Sequence, residues 1–180
     1  MLNKGGVIVS LGTVYWFTGL SGAGKTTIGR LFFERLRIQK ENAVFLDGDT
    51  LREVFGNDLG YGKDDRFKCA MRYSRLCRLL AGQGQDVVIC TISMFHEVRR
   101  WNRQNIEKYK EIYIKVPASV LVQRNQKNLY SSGENVVGMD LEPELPESPD
   151  VIVINDGSLT PSEAACFIWE RPSMEGDGNG

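Results

Sequence analysis

The stretch Gly19–Thr27, GLSGAGKTT, follows directly on the apolar run Val14–Phe17, VYWF. Three glycines in nine residues leave too much backbone freedom for a stable helix or strand. Yet the stretch joins a β-branched and aromatic run to a helical one, because Ile28, Leu31, Phe32 and Leu36 recur on one face at helical spacing. Gly19, Gly24, Lys25 and Thr26 satisfy the pattern GxxxxGK[ST], and the placement after a strand and before a helix separates a phosphate loop from a chance match. In such a loop the glycines let successive N–H groups turn inward around an anion, and the following helix aims its positive end at the same point. Leu20, Ser21, Gly22, Ala23 and Thr27 complete the expected cradle. Lys25 is expected to reach the β- and γ-phosphates of a nucleoside triphosphate and the Thr26 hydroxyl to coordinate Mg²⁺.

Composition narrows what surrounds this loop. At 180 residues the chain is read as one domain spanning residues 1–180, long enough to bury a core. A formal charge of −1 gives no global field for nucleic acid, so the anion site is local. Cys69, Cys77, Cys90 and Cys166 lack CxxC spacing and His96 is the only histidine, which leaves little material for a zinc site. Four idle thiols fit a reducing cytosol. Lys4 and the apolar residues after it have the outline of a secretory signal, but cleavage there would destroy the glycine loop, and no run approaches the roughly 18 apolar residues of a membrane span. The expected location is cytoplasmic, with no membrane or nucleic-acid partner.

Along the chain, short β-rich runs alternate with amphipathic stretches, the pattern of βαβ units on a parallel sheet. Strands are expected at 14–17, 43–46, 86–91, 111–116 and 151–154. Phe67, Ala70, Met71, Ser74 and Cys77 mark a second helical face, and residues 97–109 and 118–126 supply further helices. Residues 1–12 read as an N-terminal extension and candidate edge strand, residues 141–149 (LEPELPESP) as a proline-broken acidic loop, and 171–180 as a flexible tail. The basic cluster EVRRWNR, Glu97 to Arg103, reads as a solvated helix face.

The second strand ends in LDGDTLR, which places Asp47, Asp49 and Arg52 at the carboxyl edge of the sheet, where open α/β sheets bind ligands. A carboxylate there can accept a hydroxyl proton or hold a magnesium shell, and Arg52 can grip an anionic acceptor. A plainer reading makes Asp49 or Thr50 a helix N-cap.

In order and spacing, YWFTGLSGAGKTT, FLDGDTLR, DLGYGKDDR, TISMF and QKNLY resemble the adenylylsulfate (APS) kinase family, from about Val14 to Ile154. The resemblance implies a three-layer α/β P-loop kinase fold with a mainly parallel five-stranded sheet and a mobile lid. It also implies transfer of the γ-phosphoryl of MgATP to the 3′-hydroxyl of adenosine 5′-phosphosulfate, often by a homodimer. Carried over residue by residue, Lys25, Asp49 and Ser93 are catalytic and Thr26 and Asp49 hold the metal. Asp47, Asp49, Arg52, Tyr61, Arg66, Ile92, Ser93, Lys127 and Val136 line the acceptor site, while Arg124 lies on the ATP side of a lid that also holds Lys127 and Leu129. Ser93 matches a serine known in the family as a phosphoserine.

The departures fall on the acceptor side. Met94 and His96 stand where the family has the proline and arginine of SPYR, Cys69 replaces an asparagine, and Val136 replaces a phenylalanine that stacks on the acceptor base. Losing such a stack costs on the order of 1 kcal/mol or more. These changes bring the chain nearer to an offshoot that phosphorylates cytidine diphosphoramidate in capsule synthesis. Plainer readings make Tyr61 and Phe95 core residues and His96 a helix-start residue. An ATP-binding regulatory or scaffold protein without catalysis is the alternative of another class.

Overall fold

The computed structural model describes residues 10–124 and 142–171. The run after Thr13 forms the central strand β1 (Val14–Thr18), whose Val14, Trp16 and Phe17 are wholly buried, as a strand covered on both faces requires. There follow α1 (Lys25–Gln39), β2 (Ala43–Asp47), α2 (Gly48–Val54), α3 (Lys63–Gly82), β3 (Asp86–Cys90), α4 (His96–Asn105), β4 (Tyr109–Lys115), α5 (Ala118–Arg124), β5 (Val151–Ile154) and α6 (Pro161–Glu170). The five strands are all parallel, in the order β2-β3-β1-β4-β5. The β1-to-β2 connection passes over β3 and the β3-to-β4 connection passes back over β1. That reversal opens a crevice beyond the carboxyl end of β1, where the glycine loop lies.

Two apolar layers hold the sheet. On one face Phe17, Val88, Ile112, Ile114 and Val153 pack against Ile28, Phe32 and Leu36 of α1 and Ala164, Ala165 and Ile168 of α6. On the other, Trp16, Val87 and Ile89 meet Ala70, Tyr73 and Cys77 of α3 and Val98 of α4. Each large aliphatic or aromatic side chain buried this way contributes about 1.5–3 kcal/mol. No described helix is long and apolar enough to cross a membrane.

Several sequence expectations change. The helix expected to reach residue 109 stops at Asn105, because Ile106 and Tyr109 are core residues and Tyr109 already pairs with Val14 in β4. Of the candidate edge strand 1–12, residues 1–9 lie outside the described residues and 10–12 form no strand; Gly12 N donates to Ala81 O at 2.9 Å and runs so close to Gln85 that a Cβ would clash with its carbonyl. The helix α6 is an addition to the sequence reading, and α2 is the helix of the plainer reading at Asp49 or Thr50, begun earlier, at Gly48. The basic cluster on α4 is not simply a solvated face. Arg99 is 5% exposed and its Nε lies 3.5 Å from Glu111, while Arg103 bridges Glu111 and Asp150 at 3.1 Å each.

Candidate active site

The glycine loop is shaped by lack of room as much as by freedom. A Cβ on Gly19 would sit 2.4 Å from the Ile114 carbonyl oxygen of the neighbouring strand, and Gly24 enters α1 at φ 89°, a left-handed conformation that disfavours side chains. Between them, Ala23 is fully buried and its N–H donates to Leu20 O at 3.2 Å. Lys25 is 9% exposed, and its ammonium donates to the same Leu20 oxygen at 2.7 Å. Ser21 and Gly22 are half-buried and Thr27 is exposed. The amide of Asn155, just beyond β5, donates to Ala23 O at 2.9 Å and thereby braces the loop from the far end of the chain. The sequence reading stopped at Ile154 and missed this residue; the NDG following a strand is the signal that marks it. Beneath the loop, the Cys90 thiol donates to Lys25 O at 3.3 Å, and burial pushes its pKa up, so it stays protonated.

The two carboxylates occupy different places. Asp47, not Asp49 or Thr50, is the N-cap of α2: its Oδ1 accepts from Asp49 N at 3.0 Å, and its Oδ2 accepts from the Thr26 hydroxyl at 2.8 Å. Asp49 is exposed in the first turn of α2. The structure therefore brings Asp47 to Thr26, where the sequence reading paired Thr26 with Asp49. Mg²⁺ typically takes one or two protein oxygens and fills its octahedron with phosphates and water. A hydroxyl and a carboxylate touching at the mouth of the loop are donors of that kind. Among the described residues there is no cluster of three or more His, Cys, Asp and Glu side chains suited to a metal.

Of the residues expected at the acceptor, Arg52, Tyr61 and Arg66 form one cluster. The Arg52 guanidinium lies 4.4 Å from the Tyr61 ring centre and that of Arg66 lies 5.3 Å away, so the ring packs against both cations. Tyr61 is 57% exposed, which rules out the core reading. Arg52 also donates to Leu59 O at 2.9 Å and Gly60 O at 3.1 Å, and Arg66 Nε donates to Tyr61 O at 2.7 Å. Burial, then the like charge of Arg52, lowers the Arg66 pKa, an arrangement that an anion between the two would relieve.

Ser93 follows β3 with φ 24°, a rare conformation for a side-chain-bearing residue, and its hydroxyl lies 2.7 Å from that of Thr91. The Ile92 carbonyl accepts from Thr18 Oγ1 at 2.7 Å. Phe95 is half-buried and meets Phe67 edge-on, in keeping with a packing role. His96 is the first residue of α4 and has its Nδ1 2.9 Å from Arg99 Nη2. A cavity of about 410 Å³ is lined by Lys63, His96, Glu142, Glu144 and Glu147, of which His96 alone is among the acceptor-side departures. The Arg124 side chain, Lys127, Leu129 and Val136, and with them the expected lid, lie outside the described residues.

Residues 11–154 match the family described as adenylylsulphate kinase. The chain belongs to the APS kinase family. As a member of it, the chain is a P-loop kinase, a phosphotransferase with an alcohol group as acceptor. It is 40% identical over 147 residues to a cytidine diphosphoramidate kinase of Campylobacter jejuni, covering 79% of this chain and 85% of that one. It is 37% identical over 153 residues to an adenylyl-sulfate kinase of Deinococcus deserti, covering 82% and 84%. The solved structure of the Mycobacterium tuberculosis APS kinase in complex with AMPPNP and APS superposes with a TM-score of 0.80 at 30% identity, covering 89% of this chain and 97% of that one.

Proposed function

We propose that this APS kinase family member transfers the γ-phosphoryl group of MgATP to a ribose hydroxyl of a 5′-nucleotide anhydride, and that cytidine diphosphoramidate is its acceptor. The observation that carries the reading is the pairing, on one sheet edge, of the Lys25 loop and the Thr26–Asp47 contact with the Arg52–Tyr61–Arg66 cluster. The loop amides and Lys25 hold the triphosphate, with Thr26 and Asp47 as the donors for Mg²⁺, which when bound supplies neutralising charge to the phosphate oxygens. Arg52 and Arg66 grip the acceptor anhydride and Tyr61 lies against its base. Asp49 takes the proton of the ribose hydroxyl as the oxygen–phosphorus bond forms and the β–γ bridge of ATP breaks, releasing ADP. Such transfer needs alignment and charge neutralisation more than covalent help from the protein. The Arg124 and Lys127 of the lid, and pairing into homodimers, belong to the same proposal.

Two features favour the cytidine acceptor. Cys69 is buried and bonded to the Tyr73 hydroxyl, so the position that carries an asparagine in the resemblance offers the acceptor no amide. With Val136 in place of a second ring, Tyr61 is left as the aromatic partner, which suits a single-ring base. Adenosine 5′-phosphosulfate is the second reading, supported by the relatives named adenylyl-sulfate kinase. ADP release measured with each acceptor decides between them. A higher kcat/KM with cytidine diphosphoramidate is expected; a preference for adenylylsulfate selects the second reading. ATP binding with no ADP from either selects a non-catalytic role.

A further inference from the structure

Tyr73 sits on α3, one helical turn past Cys69, and is 3% exposed. Its hydroxyl donates to the Gly48 carbonyl at 2.8 Å and lies 2.9 Å from the Cys69 thiol, which donates to it. Gly48 is the first residue of α2, wedged so closely against the end of β3 that a Cβ would lie 3.2 Å from Thr91 Oγ1 and 3.3 Å from Cys90 O. The Phe55 ring stacks on Tyr73 at 6.2 Å and closes the other end of α2. A seven-residue helix has little stability of its own. Its orientation therefore comes from Asp47 at the cap and from whatever grips Gly48.

We propose that Tyr73 is a positioning residue for the acceptor side of the reaction, acting through the Cys69–Tyr73–Gly48 hydrogen-bond chain to set the first turn of α2. Asp49 lies in that turn and Arg52 in the next, last turn of the same short helix, so the inference rests on the reading of these two as acceptor-side residues. Burial first, then the Cys69 hydrogen bond, pushes the phenol pKa up, and the hydroxyl keeps its proton and its donor role throughout the working pH range. The thiol behind it settles which way the proton points, toward the Gly48 carbonyl. The loop that holds ATP has its own brace in Asn155 and meets α2 through the Asp47 cap at Thr26, not through Tyr73.

The test compares the intact protein with Tyr73→Phe, which removes one oxygen and keeps the ring stack, and with Cys69→Ala. ADP release is measured with MgATP and cytidine diphosphoramidate, and with adenylylsulfate in parallel, well below the melting temperature of each variant. Losing one well-made hydrogen bond at this point is expected to lower acceptor kcat/KM about five- to tenfold. The KM for ATP is expected to stay within twofold, a split that general loosening of the fold would not produce. Hydrogen exchange of the amides of residues 48–54 is expected to quicken while α1 is unchanged. Should Tyr73→Phe fail to fold, Cys69→Ala reads the same quantity with a smaller effect. Wild-type kinetics in both variants, or an equal rise in both KM values, overturns the positioning role alone. Full turnover by Asp49→Asn overturns the reading beneath it, and this inference with it.

Discussion

Lys25 is held in place before any phosphate arrives, its ammonium on Leu20 O and its side chain 9% exposed. In the proposed transfer, a cation already held at the loop costs little reorganisation during the reaction, which is how such groups lower a barrier. Lys25→Ala is expected to reduce turnover by at least about a hundredfold, the usual loss when one preorganised donor is removed, and to leave cooperative unfolding intact. Steady-state ADP release beside a thermal melt checks both halves. At this scale the sequence was most informative about the phosphate loop, because a backbone cradle is written in consecutive residues. It was less so about Asp47. The cap is local and was misplaced by two or three residues, whereas the Thr26 contact depends on where two separate elements meet, and that meeting has no local signature.

At the scale of elements, α6 shows a signal that was legible and passed over. Thr160 caps the helix, accepting from Glu163 N at 3.2 Å, while Glu163 returns to Thr160 N at 2.8 Å, with Pro161 in the first turn. The Thr160 backbone hydrogen bond lowers the Glu163 pKa, its hydroxyl adding to the effect. The folded state therefore prefers the carboxylate. Its stabilisation is present above the ordinary value of 4.5 and is lost as pH falls through the lower folded value. The melting temperature of Glu163→Gln is expected to lie below wild type at pH 7 and to converge on it as pH drops below 4.5. Melts across pH 3–7 measure this. By contrast, the end of α4 was not readable from periodicity, because Ile106 and Tyr109 continue an apolar pattern that the sheet, not the helix, uses.

Over the whole molecule, charge as well as apolar surface ties distant parts together. Arg99 and Arg103 on α4, Glu111 on β4 and Asp150 before β5 form one cluster, with Arg99 also donating to Glu144 O and Leu145 O. Burial raises the Glu111 pKa, and the arginines oppose that rise. A raised acid contributes most below its unfolded value and loses that contribution as pH climbs through the folded one, so at neutral pH the two guanidinium groups offset the cost of the buried carboxylate. Glu111→Ala strands Arg99 without its countercharge and is expected to cost about 3–5 kcal/mol. Urea unfolding at pH 7 gives the number. From sequence the same arginines read as a solvated face, since helical spacing shows that residues share a side but not what lies opposite.

By itself the sequence determined the alternation of strands and helices, the phosphate loop and the family, all of which rest on residues near one another along the chain. The tertiary structure alone decided that Asp47 meets Thr26, that Asn155 braces the loop, that Tyr73 grips Gly48 and that Arg99 is buried. Each of these contacts joins residues of different elements that strand order and helix packing bring together, a matter of topology that no local spacing encodes.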